Sequence, residues 1–305
     1  MIRISRFIFY SLIATIVISN AAAQKAIPEQ IRLALTSEQK QIISGLSGAT
    51  AIDGNKILKR RWTSKEKRLA RNYLKANLAS IGIVAEEQVY KVDLPHRKAS
   101  QNPFLGTNLF AIIPSSIPSD EYIVIGAHYD SVSESPGAMD NATGCALVYS
   151  VSKLVSTLTD RKRNLVIVFF DQEETGHAGS YAFANYIKER GFVVHSVHTA
   201  DMVGWDSDGD RNIEIELPSP DLESIYRRHA SSFGVLAYPT ETSVTDHREF
   251  RNAGYNAIGI GGEYVNGDSS PHHHQPTDTV DTVDFDYLAF VTFLVYKVME
   301  ELIAG

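Results

Sequence analysis

His128 and Asp130 stand two residues apart at the end of the apolar run "YIVIGAHYD". On an extended segment this spacing points both side chains to the same face. A metal-bound histidine commonly donates its second ring N–H to a carboxylate. The pair therefore fits a metal ligand with its own orienting acid. The alternative interpretation is a hydrogen-bonded histidine at the end of a strand.

Two adjacent carboxylates, Glu173 and Glu174, follow a second apolar run, "NLVIVFF". Neighbouring side chains point in different directions, so one carboxylate can bind a metal while the other reaches a water beside it. Adjacent acids are also common on solvated helix faces, which is the alternative here.

Three further segments offer metal-ligand chemistry. Asp140 lies in "SPGAMDNATG", just before a helix-like stretch, where Asp140 or Asn141 could instead cap the helix. Asp201 closes the apolar segment "HTAD", and residues 272–274 are three consecutive histidines. Each of these signals is weak alone, and each histidine of the run is a candidate.

The elements that carry these residues alternate between strands and helices. Apolar strand-like runs separated by helices predict an α/β fold: a mixed, mostly parallel sheet with helices on both faces. In such sheets a site lies beyond the carboxyl ends of the strands. Strand-like runs end at His128, before Glu173, at Asp201 and before Glu263, so we expect one rim to collect these side chains. Residues 38–82 are predicted to be helical, ending on a glycine stop.

Composition limits the function classes. The chain has 305 residues and 44% hydrophobic content, enough for one large domain. A net charge of −7 without a basic patch excludes a nucleic-acid partner. The single cysteine, Cys145, lies in an apolar segment and is interpreted as a buried small hydrophobe. Asn141 begins a glycosylation sequon, which we discount because its segment is expected to be buried in the site.

The N-terminal residues 1–23 are typical of a signal peptide. Arg3 and Arg6 precede the apolar stretch "FIFYSLIATIVIS", and "NAAAQ" suits cleavage after Ala23. The alternative is a retained membrane anchor. We therefore expect an exported protein, periplasmic or secreted, with no membrane partner after cleavage. Residues 24–305 are predicted to form one catalytic domain, with a helical and strand part at 24–100 and a core at 105–300.

Taken in order, these motifs resemble the zinc-dependent aminopeptidases of the bacterial leucyl aminopeptidase and aminopeptidase Y type. The matching segments are "GAHYDSVSESPGAMDNATG", "FFDQEETGHAGS", "HTADMVGW", "TDHREFRNAGYNAIGI" and "HQPTDT". The resemblance covers roughly residues 105–300. It implies a single zinc-peptidase domain, phosphorylase/hydrolase-like in fold.

The resemblance also implies the role of each residue. Five residues would bind two zinc ions, with Co²⁺ or Mn²⁺ as substitutes: His128, Asp140, Glu174, Asp201 and His274. Asp140 would bridge the ions, and its peptide bond to Asn141 is expected to be cis. Glu173 would be the general base and Asp130 would orient His128. His274 is chosen from its run because the family's ligand lies four residues before the Asp of "DT", here Asp278.

The implied reaction is removal of the N-terminal residue from peptides with a free N-terminus, by a water that the two ions activate. Glutaminyl cyclases and a related carboxypeptidase are the enzymatic alternatives, and a catalytically dead binding protein is a third. A carboxypeptidase would need a cation for the substrate carboxylate, for which Arg248 and Arg251 are candidates. Some relatives have a tyrosine near the position of Thr242, and Tyr264 is our candidate substitute. The sequence leaves the oligomeric state open.

Overall fold

A computed structural model describes residues 26–305 of the chain. The predicted signal peptide at 1–23 lies outside the described residues. The fold comprises seven α-helices and eight β-strands among the described residues: α1 Glu29–Leu46, α2 Ser64–Ser80, β1 Glu86–Val92, β2 Phe104–Ile113, β3 Glu121–His128, α3 Thr143–Ser156, β4 Asn164–Phe170, α4 Ala178–Glu189, β5 Val193–Ala200, β6 Ile213–Glu216, α5 Pro220–Phe233, β7 Ala237–Thr240, α6 His247–Asn252, β8 Ala257–Gly261 and α7 Phe285–Ala304.

All eight strands form one mixed sheet in the order β1-β2-β4-β3-β5-β8-β6-β7. The four central strands, β4, β3, β5 and β8, run parallel to one another. Antiparallel pairs join β1 to β2, β2 to β4, and β6 to β8. The predicted mixed, mostly parallel sheet is confirmed.

Helices cover both faces of this sheet, as the sequence predicts. Alternate residues of β4 face opposite sides: Leu165, Ile167 and Phe169 join a core with α1, α2, α3, α5 and α7. Their neighbours on the strand join a second core that includes Phe183 of α4 and Phe250 of α6. Because both faces are packed, the central strands are apolar along their whole length.

The prediction of continuous helix over residues 38–82 is wrong. Residues 47–63 are irregular and separate α1 from α2. Gly48 and Gly54 adopt left-handed φ values of +80° and +69°, and Asn55 has a φ of +86°. Glycine and asparagine tolerate this conformation, which no helix contains. The second helix then begins at a capping box formed by Thr63 and Glu66.

Three short elements, β6, β7 and α6, have no counterpart in the prediction. The two strands have four residues each, and β7 contains Pro239, so periodicity offers little signal. None of the helices formed by residues 26–305 combines the length and the apolar character that crossing a membrane requires.

Candidate metal centre

The sheet brings the predicted ligands to one edge. His128 is the last residue of β3, Asp201 follows β5 directly, and Glu174 lies in the turn after β4. These three strands are adjacent and parallel, so their carboxyl ends meet. Asp140 reaches the same place from the loop before α3, and His274 from the loop before α7.

His128 lies at the inner side of the cluster and is 1% exposed. Its Nε2 is 3.3 Å from Asp140 Oδ1 and 3.4 Å from Asp201 Oδ1. The other ring nitrogen, Nδ1, is 3.4 Å from Asp130 Oδ1. One nitrogen of His128 thus faces the carboxylates and the other faces the predicted orienting acid.

His274 lies on the opposite side of Asp140. Its Nε2 is 3.1 Å from Asp140 Oδ2 and 3.0 Å from Glu174 Oε2. His273 also reaches Asp140 Oδ2, at 3.4 Å, and its ring lies against that of His274. Of the pair, His274 is the one that also contacts Glu174. His272 bonds Thr277 Oγ1 through Nδ1, at 2.9 Å.

Asp140 is shared between the two sides, because Oδ1 faces His128 while Oδ2 faces His274. Two groups of potential ligand atoms form around it among the described residues: His128, Asp140 and Glu174, and Asp140, His273 and His274. The Asp140–Asn141 peptide bond is cis, as expected.

The donor set fits a divalent metal. Buried oxygens Glu174 Oε1 and Asp201 Oδ1 form no hydrogen bond within the described chain. Burial raises the pKa of Glu174 to about 7, and the Asp140 carboxylate adds to the shift. Buried carboxylates this close together are stable only when protons or cations compensate their charge. Imidazole nitrogens and carboxylate oxygens without thiolates suit zinc, and also cobalt or manganese.

Asp130 holds three groups at once and is 2% exposed. Its Oδ1 accepts from the backbone N–H of Glu173 at 3.1 Å and faces His128, and its Oδ2 accepts from that of Glu174 at 3.3 Å. The strand end of β3 is therefore tied to the turn that carries both glutamates.

Glu173 lies in the cavity beside the ligand cluster but belongs to neither group of potential ligand atoms. Its Oε1 is 3.0 Å from His177 Nε2, a nitrogen that also lies 2.8 Å from the carbonyl of Val244. Since a carbonyl only accepts, Nε2 carries the hydrogen. Burial raises the pKa of Glu173 well above its usual range; His128 opposes this, and nearby carboxylates, first among them Asp201, reinforce it. His177 was not predicted, although it lies four residues after Glu173 in the "EETGH" motif.

The positioning roles of two residues were not predicted from the sequence. Asp278 is fully buried and accepts from the backbone N–H of Met139 at 2.8 Å and of Asp140 at 3.2 Å. Arg61 is fully buried and donates to the carbonyls of Tyr129, Leu46, Pro136 and Gly137 at 2.6–3.0 Å. Both hold the loop between His128 and Asp140. Arg61 lies in the segment predicted to be helical, where no local pattern marks it.

A cavity of about 310 Å³ opens beside the cluster. Its walls include Arg97, Glu216, Thr242, Val244, Thr245 and Tyr264. Tyr264 is 49% exposed, and its ring stands edge-on to His273. Its assignment as the substitute tyrosine remains a prediction.

Several other predicted positions lie elsewhere. Glu263 is not among the cavity-lining residues, and its carboxyl group interacts with Asp210. The prediction that Glu263 joins the other strand-end side chains at the site is therefore wrong. Arg251 donates to the carbonyls of Leu217 and Ala257, and Arg248 pairs with Glu249, so neither cation lines the cavity. Asn141 is fully buried, consistent with discounting its sequon.

Cys145 is a buried free thiol beneath the site. Burial raises its pKa to about 12, and its Sγ donates to the carbonyl of His128 at 3.2 Å. A neutral thiol in this setting packs and does not attack, as the sequence predicts.

Comparison with known proteins gives a consistent set of relatives. The sequence profile of peptidase family M28 matches residues 108–299. Aminopeptidase YwaD of Bacillus subtilis is 26% identical over 200 residues, covering 62% of this chain and 43% of that protein. The chain spans about half the length of the curated relatives it matches.

Two solved structures share the fold. BSAP, a zinc aminopeptidase from Bacillus subtilis, superposes with a TM-score of 0.75 at 15% identity, covering 88% of this chain and 95% of that one. The glutaminyl cyclase of Porphyromonas gingivalis gives a TM-score of 0.69 at 18% identity, covering 88% and 98%. At these identities the likeness concerns the fold.

Proposed function

The chain belongs to peptidase family M28, and from that premise we propose that it is a zinc-dependent aminopeptidase. It would release the N-terminal residue from peptides that have a free α-amine. The single observation that carries the proposal is Asp140, whose two oxygens face histidines on opposite sides. A carboxylate shared in this way suits two cations held side by side.

The ligands proposed for the two zinc ions are the five residues around Asp140: His128, Asp140, Glu174, Asp201 and His274. Zinc bound there would supply Lewis acidity toward a peptide carbonyl and would lower the pKa of a nearby water. Asp130 would hold His128 in position through Nδ1, and Asp278 and Arg61 would hold the loop of Asp140.

Glu173 is the proposed general base. Its carboxylate would take a proton from the attacking water and pass it to the departing amine. His177 Nε2 lies 3.0 Å from one oxygen of Glu173, although its hydrogen goes to the carbonyl of Val244, so the other oxygen of Glu173 would be the one that reaches the water. Burial and the neighbouring carboxylates raise the pKa of Glu173, which favours its holding the proton between the two transfers.

The acidic cavity supports a preference for a free α-amine. Four of the carboxylates that line it lie at or beside the metal centre: Asp140, Glu173, Glu174 and Asp201. A substrate ammonium gains from this field, and an N-acetylated terminus does not.

The test compares leucine 4-nitroanilide with its N-acetyl form, using zinc-loaded wild-type protein and Glu173→Gln. We expect cleavage of the free-amine substrate alone, and a loss of kcat by about 10²–10⁴-fold in the variant with metal content unchanged. Zinc content is measured by mass spectrometry, with two ions per chain expected. Equal turnover of both substrates, or a fully active variant, would contradict the proposal.

Glutaminyl cyclase activity is the second candidate, favoured by the fold shared with the Porphyromonas gingivalis enzyme. The discriminating measurement is pyroglutamate formation from an N-terminal glutaminyl peptide. A carboxypeptidase is less well supported, since Arg248 and Arg251 are engaged elsewhere. Of the arginines and lysines within residues 26–305, Arg97 lines the cavity, and it donates to the carbonyl of Thr175.

We also propose export of the chain, based on the signal-like residues 1–23. N-terminal sequencing of protein recovered outside the cytoplasm would begin at Gln24 if cleavage follows Ala23. A chain beginning at Met1 and retained in the membrane fraction would favour the anchor instead.

A further inference from the structure

Glu216 is a buried acid on the cavity wall that the proposed mechanism does not use. It ends β6 and is 6% exposed. Across the antiparallel pair it faces Gly259 of β8. A Cβ at Gly259 would lie 2.2 Å from Glu216 Oε2, so the carboxyl group occupies space that only glycine leaves open.

The same wall connects Glu216 to the metal centre. A Cβ built at Gly261 would lie 3.5 Å from the backbone oxygen of Asp201 and 3.8 Å from Glu216 Oε1. Asp201, Gly261 and Glu216 line the same cavity, and Gly261 adds no side chain to the wall between the other two. A substrate side chain entering beside the metal centre would therefore meet Glu216.

No cation compensates Glu216 within residues 26–305. Its neighbours are Thr245 Oγ1 at 3.2 Å and His247 Nδ1 at 3.3 Å. His247 Nε2 lies 3.0 Å from the carbonyl of Thr242, so the ring hydrogen is on Nε2 and Nδ1 is an acceptor. The shorter contact of the Thr245 hydroxyl, 2.8 Å, goes to that Nδ1. Glu216 is left with at most a share of one hydroxyl hydrogen.

The charges around Glu216 also disfavour its ionised form. Burial raises the pKa of Glu216 to about 8, and the carboxylates of Asp201, Glu214 and Glu173 act in the same direction. Burial lowers the pKa of His247 to about 4, so the imidazole is neutral and supplies no positive charge. Without a cation the carboxyl group therefore keeps its proton at neutral pH, and a cation brought from outside would favour its ionised form.

We propose that Glu216 is a specificity-determining residue that selects substrates with lysine or arginine at the N-terminus. This inference rests on the proposed aminopeptidase function and deepens it. The ammonium or guanidinium group would pair with Glu216, and the aliphatic stem would pack along Val244 and Tyr264. Leucine or methionine in the same position would leave the carboxyl group protonated and would gain no charge-assisted hydrogen bond from it.

The experiment measures kcat/KM for lysine, arginine, leucine, methionine and glutamine 4-nitroanilides. Wild-type protein is compared with Glu216→Gln and with Glu214→Gln as the matched control. Glu214 lies on the same face of β6, but accepts from the backbone N–H groups of Val265 and Asn266, both at 2.7 Å, and does not line the cavity.

We expect wild-type protein to favour lysine and arginine over leucine by about 10- to 150-fold, the range for one charge-assisted hydrogen bond. Glu216→Gln should remove most of this preference by lowering turnover of the basic substrates, and Glu214→Gln should keep it. A binding readout uses calorimetry on Glu173→Gln, where Lys-Ala-Ala should bind more tightly than Leu-Ala-Ala by a similar factor.

Each outcome bears on a separate statement. Absence of cleavage of all anilides would refute the proposed function, and the calorimetric preference would then still test the cavity. Cleavage of leucine, methionine or glutamine anilide at least as fast as lysine by wild-type protein would overturn the inference and leave the function standing. An equal loss for every substrate in Glu216→Gln would overturn it too, since the carboxylate would then bind the α-ammonium common to all.

Discussion

Replacing Asp130 with asparagine tests how the strand end of β3 supports the metal centre. The carboxylate uses both oxygens: Oδ1 binds the N–H of Glu173 and faces His128 Nδ1, and Oδ2 binds the N–H of Glu174. An asparagine has one oxygen and one amide group. In one orientation the amide N–H groups face the N–H of Glu174, and in the other they face the N–H of Glu173 and the ring of His128. Either orientation therefore places a donor against a donor.

The magnitude follows from these contacts. Loss of one charge-assisted hydrogen bond removes about 1.5–3 kcal/mol of stability. Loss of the negative charge behind a ligating histidine lowers metal affinity by about 10–100-fold, which equals about 1.4–2.7 kcal/mol of binding free energy. We therefore expect Asp130→Asn to weaken zinc binding and, to a similar degree, to destabilise the metal-free protein.

Two assays measure the two effects separately. Competition with a chelator of known zinc affinity gives the change in zinc binding, and urea unfolding of the metal-free protein gives the change in stability. Asp171→Asn is the control, because Asp171 is a buried carboxylate whose Oδ1 pairs with Lys67 at 2.7 Å and whose Oδ2 accepts from Thr107 N at 3.0 Å. It should lose stability while changing zinc affinity less than about tenfold, since it does not touch His128. Wild-type zinc affinity in Asp130→Asn, or an equal loss in both variants, would refute the reasoning.

Three further predictions concern the histidine run, the contacts of Arg61 with the loop that carries Asp140, and Glu216 of β6. His274→Ala should weaken zinc binding by more than about 100-fold and His273→Ala by less than about tenfold, judged by chelator competition; the reverse order would shift the ligand by one residue. Arg61→Met should lower the unfolding free energy in urea by at least about 3 kcal/mol, because the four carbonyls that Arg61 binds lose their donor. A change below about 1 kcal/mol would show that Arg61 does not hold this loop. The folded-state pKa of Glu216 is raised to about 8 from 4.5, so the folded state binds more protons between those values and this group's contribution to stability falls as pH rises through that window. Glu216→Gln should therefore gain stability relative to wild type between pH 5 and pH 8, and a difference that is constant with pH in thermal unfolding would show that the carboxyl is not buried in this way.

Local sequence was sufficient for the frame of the fold. The apolar runs that form β3, β4, β5 and β8 are continuous because both sheet faces are covered, and parallel strands bring their carboxyl ends to one edge. His128, Glu173 and Asp201 follow these runs directly, so their proximity could be predicted before any geometry was known. Asp140 and His274 lie in loops, and their assignment came from the family resemblance.

The end of α1 and the paths of the loops were less predictable from the sequence. The irregular segment between α1 and α2 was missed although Gly48 and Gly54 lie in it, because the amphipathic stretches on either side dominate the pattern. Glu263 follows a strand as expected, yet faces Asp210, since the path of the chain after Gly261 is not set by the strand. The contacts of His273 and His274 with Asp140 differ only through the fold of their loop.

The sequence by itself determined the α/β frame and the chemistry available at its central strand ends, because strand alternation and parallel pairing act locally and repeat. Tertiary structure alone decided which residues support and shape the site. Arg61 and Asp278 reach the Asp140 loop from distant parts of the chain, and Glu216 enters the cavity because β6 pairs with β8 opposite Gly259. Such contacts depend on packing between segments far apart in sequence, so no local pattern shows which loop these side chains will reach.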